Sequence, residues 1–150
     1  MILLSKRALL GVAAVVDVAI HARPVPVAAK ALAARHGLPP RHLETLLQAL
    51  VRASILKGVR GPKGGYELAR ERRRITVGEI VRVAIASDED GAQELQTISR
   101  LVSEIVAPVV SDASRELISV LDQTTVEDLC RQAEAAGVFG ASCGLVDFTI

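Results

Sequence analysis

Three histidines, two cysteines and one basic, glycine-rich loop are the residues of this 150-residue chain with chemistry to offer. The loop reads Arg60-Gly61-Pro62-Lys63-Gly64-Gly65-Tyr66. Glycines beside a lysine can cradle a phosphate, but a Walker loop needs GxxxxGK followed by Ser or Thr, between a strand and a helix. Here Lys63 precedes Gly64-Gly65 and a strand-like run follows, and the order of a dinucleotide fingerprint fails as well. A hairpin explains each residue better. Glycines permit positive φ at a tight tip, Pro62 stiffens the turn, and Arg60 and Lys63 place charge where a hairpin can touch DNA backbone or enter a minor groove. Taken alone, the loop could also be a plain surface hairpin with incidental charge.

Catalytic chemistry finds no footing. His21, His36 and His42 stand at no metal-ligand spacing from a cysteine, and no serine sits in a nucleophile motif, so neither an enzyme nor a cofactor or metal is expected. His21 and His36 read as side chains near helix ends, and Asp88-Glu89-Asp90 as a solvated acidic hinge. Cys130 falls on the apolar side of the last helix with Val126, Leu129 and Ala133, where a buried thiol is expected. Cys143, in a tail of small residues, is the candidate for an exposed, redox-active one.

The elements that must position the loop follow from spacing and punctuation. Ser5 can cap a helix to about Ala22, ended by Pro24 and Pro26, with Leu9, Leu10, Ala13, Val16, Ala19 and Ile20 as its apolar face. A second helix spans roughly Val27 to His36, with Gly37 after its end. Pro39-Pro40 suits the first turn of a third helix, running to about Ser54. Leu43, Leu46, Leu47 and Leu50 form one apolar stripe of that helix, while Arg41, His42, Glu44, Thr45, Gln48 and Arg52 lie elsewhere on the cylinder. Two helices joined by Gly37-Leu38-Pro39 make a helix-turn-helix, and the hairpin after it is a wing. Thr76-x-x-Glu79 predicts a capping box opening a helix to about Ala86, and Thr124-x-x-Glu127 a cap for the last helix, to about Ala136.

From Ala92 to Leu121 the pattern is helical again. Leu95, Ile98, Val102, Ile105 and Val109 alternate by three and four, a coiled-coil-like seam. Pro108 either kinks this helix or starts a second one. The stripe could fold back as core or pair with its copy in a second subunit. Pairing is favoured, because residues 1–85 are expected to make a complete core alone. The fold class expected is mainly α with a small β-hairpin: a winged helix-turn-helix over residues 1–86, dimerisation helices over 87–136 and a tail over 137–150.

Charge separates the same regions. The net charge is only +1, yet residues 1–85 hold 15 Lys and Arg against 5 Asp and Glu, and residues 86–150 hold 3 against 12. A basic unit of this kind is the footprint of a polyanion binder. Tyr66, Phe139 and Phe148 are the whole aromatic complement, too few for the stacking platforms that grip single strands. Met1-Ile2-Leu3-Leu4 precedes Ser5-Lys6-Arg7, the reverse of a secretory signal. The run Ala8–Ile20 is broken by Asp17 and too short to span a bilayer. A cytoplasmic protein without membrane contact is expected.

Three strings go further: Leu43-Glu44-x-Leu46-Leu47, then Val59-Arg60-Gly61-Pro62-Lys63-Gly64-Gly65-Tyr66-x-Leu68, then Ile75-Thr76-Val77-Gly78-Glu79-Ile80. Together they resemble the IscR/NsrR/CymR-like regulators, the Rrf2 family of bacterial winged-helix transcription factors. The likeness is close from about Leu4 to Ala86 and weaker from Val106 to Cys130. It implies a homodimeric transcription regulator, a repressor, on a palindromic double-stranded operator, with the third helix in the major groove and the wing at the minor groove. By position, Glu44 matches a glutamate that influences base choice and Arg60 a wing arginine that reaches the minor groove. Arg41, His42 and Thr45 occupy base-facing positions that carry this chain's own specificity. Iron–sulfur members hold their cluster with three cysteines in the window that here runs from Ile85 to Pro108, which contains none. The resemblance therefore implies a regulator without the cluster, answering to a small-molecule or protein effector. The alternative is a winged-helix protein-interaction module that does not read DNA.

Overall fold

The computed structural model describes residues 4–87 and 99–140. Helix α1, Lys6–His21, starts at Ser5, whose hydroxyl accepts the Ala8 N–H at 3.1 Å. It buries Ala8, Gly11, Ala14, Val15, Val16 and Val18; of the expected face, Val16 is buried and Leu10, Ala19 and Ile20 pack half-buried against the core, while Leu9 turns outward, 37 % exposed. The segment is apolar nearly all round, so periodicity alone cannot choose the side that turns inward. α2, Ala29–Arg35, and α3, Pro40–Arg52, follow, with Pro40 in the first turn as its missing N–H allows.

α2 and α3 end in the same way but on different residues. Leu38 N–H reaches back to Ala33 C=O and Ile55 N–H to Leu50 C=O, the six-residue closure of a helix whose next residue is left-handed. After α2 that residue is Gly37; after α3 it is Ser54, at φ 58. The Ser54 carbonyl is held by Arg70 Nε at 3.0 Å. β1, Leu56–Val59, then pairs antiparallel with β2, Gly65–Leu68, in the register Leu56↔Leu68 to Val59↔Gly65. Val27, just before α2, exchanges both backbone hydrogen bonds with Tyr66 and lengthens this ribbon at its root.

A 3-10 turn, Arg72–Arg74, leads to α4, Val77–Ala86. Thr76 caps α4 by accepting the Glu79 N–H at 3.2 Å. The reciprocal half of the expected box is absent because the Glu79 carboxylate goes to Arg70 instead, at 2.5 Å. Past the window 88–98, a π-helical stretch, Val102–Val106, runs into α5, Ala107–Leu121. Ala107 N–H bonds five residues back to Val102 C=O. Pro108 stands in the first turn of α5, as a proline that starts a helix does, and the π-helical stretch joins that turn to the residues before it. α6, Val126–Ala135, carries a full capping box, but on Thr125 and Asp128 rather than Thr124 and Glu127.

The core lies between α1, α3, α4 and the base of the ribbon, with Leu43, Leu46, Leu47, Leu50, Ile55 and Ile80 fully enclosed. It is not complete within residues 1–85, as its pattern led us to expect. Val126 and Cys130 of α6 sit in the same cluster, 0 % and 1 % exposed. α6 packs against α1 and the 3-10 turn, so a helix from beyond residue 120 closes that side of the core. None of the described helices is long and apolar enough to cross a membrane.

Candidate nucleic-acid interface

α3 divides its cylinder as its spacing requires. Leu43, Leu46, Leu47 and Leu50 are wholly buried, and Arg41, His42, Glu44, Thr45 and Gln48 are all exposed. The leucines fix the helix's rotation, so the polar residues stand outward as a set. At the wing tip, Gly61-Pro62-Lys63-Gly64 is a tight turn closed by Gly64 N–H on Gly61 C=O at 2.9 Å, with Gly61 at φ 116. Gly64 and Gly65 are needed for close approach: a β-carbon there would stand 2.2 Å from the Val59 carbonyl oxygen and 2.3 Å from that of Val27. The glycines are thereby accounted for by hairpin geometry. Lys63 is held at the tip and Arg60 at the edge, both exposed.

Wing and α3 face a common groove. A cavity of about 490 Å³ is lined by Val51 of α3, Ala28 and Ala29 at the start of α2, and Val59, Arg60 and Tyr66 of the wing. The structure thus brings Arg60 to the flank of α3. Among the described residues, Arg41, Arg60 and Lys63 have no carboxylate partner, and neither has Arg52.

Other basic side chains of the same domain are engaged. Arg35 holds Asp17 with Nε at 2.9 Å and Nη2 at 2.5 Å, Arg70 holds Glu79, Arg72 holds Glu127 at 2.5 Å, and Arg82 holds Asp122. Two of these acids come from beyond residue 120. Part of the basic excess of residues 1–85 therefore meets part of the acidic excess of the rest of the chain.

Asp17 had no assigned role beyond interrupting an apolar run. It is the one charged residue in the core among those described, 0 % exposed. Besides Arg35 it receives His36 Nε2 at 3.1 Å, while His21 Nδ1 lies 2.9 Å from its backbone carbonyl and 3.1 Å from its carboxylate. The carboxylate holds the Arg35 guanidinium above its ordinary pKa, mainly by the hydrogen bond. A buried charge is tolerable only when paired and hydrogen-bonded, and these partners tie α1 to the end of α2, where the turn into α3 begins. Phe139 packs edge-on to His21, ring centres 4.9 Å apart. An acid inside an apolar helix is the signal in the sequence. His21 stands at the helical i,i+4 spacing from it, while Arg35 and His36, 18 and 19 residues away, carry no such signal.

The seam residues separate in the same manner. Val102 is half-buried, while Ile105 and Val109 are exposed, together with Leu101, Val106 and Val110. The stripe does not fold back as core over these residues. Leu95 and Ile98, and likewise Cys143 and the acidic hinge Asp88-Glu89-Asp90, lie outside the described residues. Cys130 is buried, and burial pushes its thiol up, against a smaller opposing effect of Arg72 beside it.

Residues 4–132 match the family model Rrf2, described as an iron-dependent transcriptional regulator. The chain is 30 % identical over 131 residues to the regulator IscR of Xenorhabdus nematophila, covering 85 % of this chain and 78 % of that one. It is 34 % identical over 112 residues to the regulator CymR of Bacillus subtilis, covering 69 % and 72 %. Among solved structures, IscR of T. potens superposes with a TM-score of 0.66 at 36 % identity, over 89 % of each chain. CymR of B. subtilis superposes at 0.63 with 29 % identity, over 88 % of this chain and 98 % of that one. The chain has two cysteines, one of them the buried Cys130, and no three His, Cys, Asp or Glu side chains among the described residues stand together as metal ligands.

Proposed function

Because the chain belongs to the Rrf2 family of transcriptional regulators, we propose that it is a dimeric, sequence-specific DNA-binding repressor without an iron–sulfur cluster. One observation carries this reading: the polar face of α3 is exposed, and so are the wing cations Arg60 and Lys63, which have no acidic partner among the described residues. A surface of solvated, unpaired cations can exchange counterions for phosphates with no internal ion pair to break.

α3 enters the major groove. Arg41, His42, Thr45 and Gln48 meet base edges and phosphates there, and Glu44 accepts from a base amino group, cytosine N4 being the matched donor. The wing follows the backbone, with Arg60 at the minor groove and Lys63 on phosphate. Base contacts select the sequence and the cations hold the register.

The exposed stripe of α5, around Ile105 and Val109, pairs with its copy in a second subunit. That pairing presents two α3 helices to a palindrome, with residues 1–86 as the reading unit and 87–136 as the pairing unit. Leu95, Ile98 and Val102 extend the same seam. The absence of cysteine from the sequence between Ile85 and Pro108 supports regulation through a small-molecule or protein effector, in the cytoplasm and without catalysis. A protein-interaction module would call for an apolar or acidic α3 face, and this one is polar with Arg41 and Arg52.

Selection from random duplexes at low salt tests the reading. A palindromic consensus is expected, and Glu44→Ala should change the base preferred at one position of each half-site more than it changes affinity, a discrimination of about 1–3 kcal/mol. An identical consensus for Glu44→Ala would remove Glu44 from the readout; no retained DNA at all would remove the function.

A further inference from the structure

The chain leaves the reading head and returns to it beside the first turn of α4, and this crossing is built more tightly than a linker requires. Asp122 closes α5. Its carboxylate accepts hydrogen bonds from both terminal nitrogens of Arg82, the Nη1 bond at 2.9 Å, and from the Thr76 hydroxyl at 3.1 Å. Thr76 is also the cap of α4, so one hydroxyl serves the helix start and the joint together. Backbone bonds complete it: Val77 N–H to Thr124 C=O and Val126 N–H to Ile75 C=O, each 2.9 Å. The helices approach so closely that a β-carbon on Gly78 would stand 2.2 Å from Asp122 Oδ1 and 2.9 Å from the Ile118 carbonyl oxygen.

α4 is at the same time the floor under α3. Leu46 of α3 meets Ile80 and Ala84 of α4 over Gly11 of α1. No flexible segment therefore separates α3 from the end of α5. The side chains of Arg82 and Asp122 are 50 % and 34 % exposed, so their ion pair adds little to folding stability. A bidentate pair with a third hydrogen bond instead fixes direction.

We propose that the Thr76–Arg82–Asp122 joint sets the angle between α3 and α5, and through it the separation of half-sites that a dimer accepts on DNA. The inference rests on the reading of the chain as a dimer that pairs through α5 and binds DNA through α3. Shifting one half-site by a single base pair displaces it by about 3.4 Å and turns it by about 34° around the duplex. A stiff joint cannot follow that movement; a loosened one can. Arg82 and Asp122 lie on neither α3 nor the wing, so they act as positioning residues.

The test uses half-sites selected by the wild type, synthesised at the selected separation and with one or two base pairs added or removed. Wild type, Arg82→Ala, Asp122→Ala and Arg82→Lys are compared on each duplex, and on a single half-site, after sedimentation has shown each to be a folded dimer. The wild type should favour its own separation by about 10-fold. The two alanine variants should bind all separations within about threefold of one another, with single half-site affinity unchanged. Arg82→Lys, which keeps one donor for Asp122, should fall between. Folded, dimeric alanine variants that keep the wild-type preference would overturn the inference. If Asp122→Ala does not fold, Arg82→Ala decides by the same criterion, since it leaves the Thr76 bond and the backbone bridge in place. A wild type that is monomeric or binds no duplex at low salt overturns the functional reading, and this inference with it, by a result distinct from any change in spacing.

Discussion

Arg60 and Arg82 are 22 residues apart and chemically identical, but they stand in opposite situations. Arg60, with Arg41 and Lys63, has no acidic partner among the described residues. Arg82, with Arg35, Arg70 and Arg72, is locked to a carboxylate. The first group leaves its charge available to a polyanion, and the second uses its charge to hold elements at fixed angles. A count of basic residues cannot separate the two, because it sees charge and not partners. The difference teaches that what a basic side chain can do depends on whether an acid stands beside it.

That contrast can be broken most forcefully at Asp17. Asp17→Ala leaves Arg35 and His36 without their counter-charge and should lower the free energy of unfolding by about 3 kcal/mol, at the low end for a buried pair because Arg35 can turn to solvent. Urea denaturation measures it, and a loss no larger than that of a surface substitution would mean the cluster is not structural. Arg60→Ala should do the reverse. Operator affinity should fall about 10-fold, near 1.4 kcal/mol, the salt dependence should become shallower by about one ion, and the melting temperature should stay unchanged. A shifted melting temperature would place Arg60 with the locked group.

A smaller effect of opposite sign lies between the two regions. Ser54 holds a left-handed conformation that costs a non-glycine residue about 1–2 kcal/mol, so Ser54→Gly should stabilise the fold by about 1 kcal/mol. A destabilised variant would show that the Ser54 side chain contributes more than its backbone strain. The smallest effect belongs to Asp122. Hydrogen bonding to Arg82 holds its carboxyl below the ordinary value. A depressed pKa contributes stability that is fully present above the unfolded value of about 3.9 and is lost as pH falls through the lower folded value. The stability difference between wild type and Asp122→Asn should thus be constant near neutrality and close only in that acid window. A difference that persists at pH 2 would come from shape rather than charge.

The stripe of α3 and the turn of the wing were legible because their causes are local. Four leucines at helical spacing admit one buried face, and Gly-Pro-Lys-Gly admits a tight turn. The buried side of α1 was legible only in part, with Val16 inside as expected and Leu9 outside, since a helix apolar nearly all round offers little contrast to choose by. The cap of α6 was displaced by one residue because adjacent threonines, Thr124 and Thr125, both precede an acid by three. The Asp17 cluster and the Arg82–Asp122 joint join residues 18 to 40 positions apart, and no short-range pattern marks such pairs. The exposed stripe that runs from the π-helical stretch into α5 was visible as spacing at Ile105 and Val109.

The closure of the core by α6, against α1 and the 3-10 turn, also bears on the order of events during synthesis. A chain made from its N-terminus folds in the order in which its parts emerge. α1 to α4 and the ribbon leave the ribosome well before Val126 and Cys130, and until those two arrive the part of the core they cover stays open to water. α5, with its apolar stripe, emerges in that interval. The nascent chain therefore displays the exposed stripe around Ile105 and Val109 before the core beneath Val126 and Cys130 has closed, and a pause in translation near residue 120 would hold both apolar surfaces open at once.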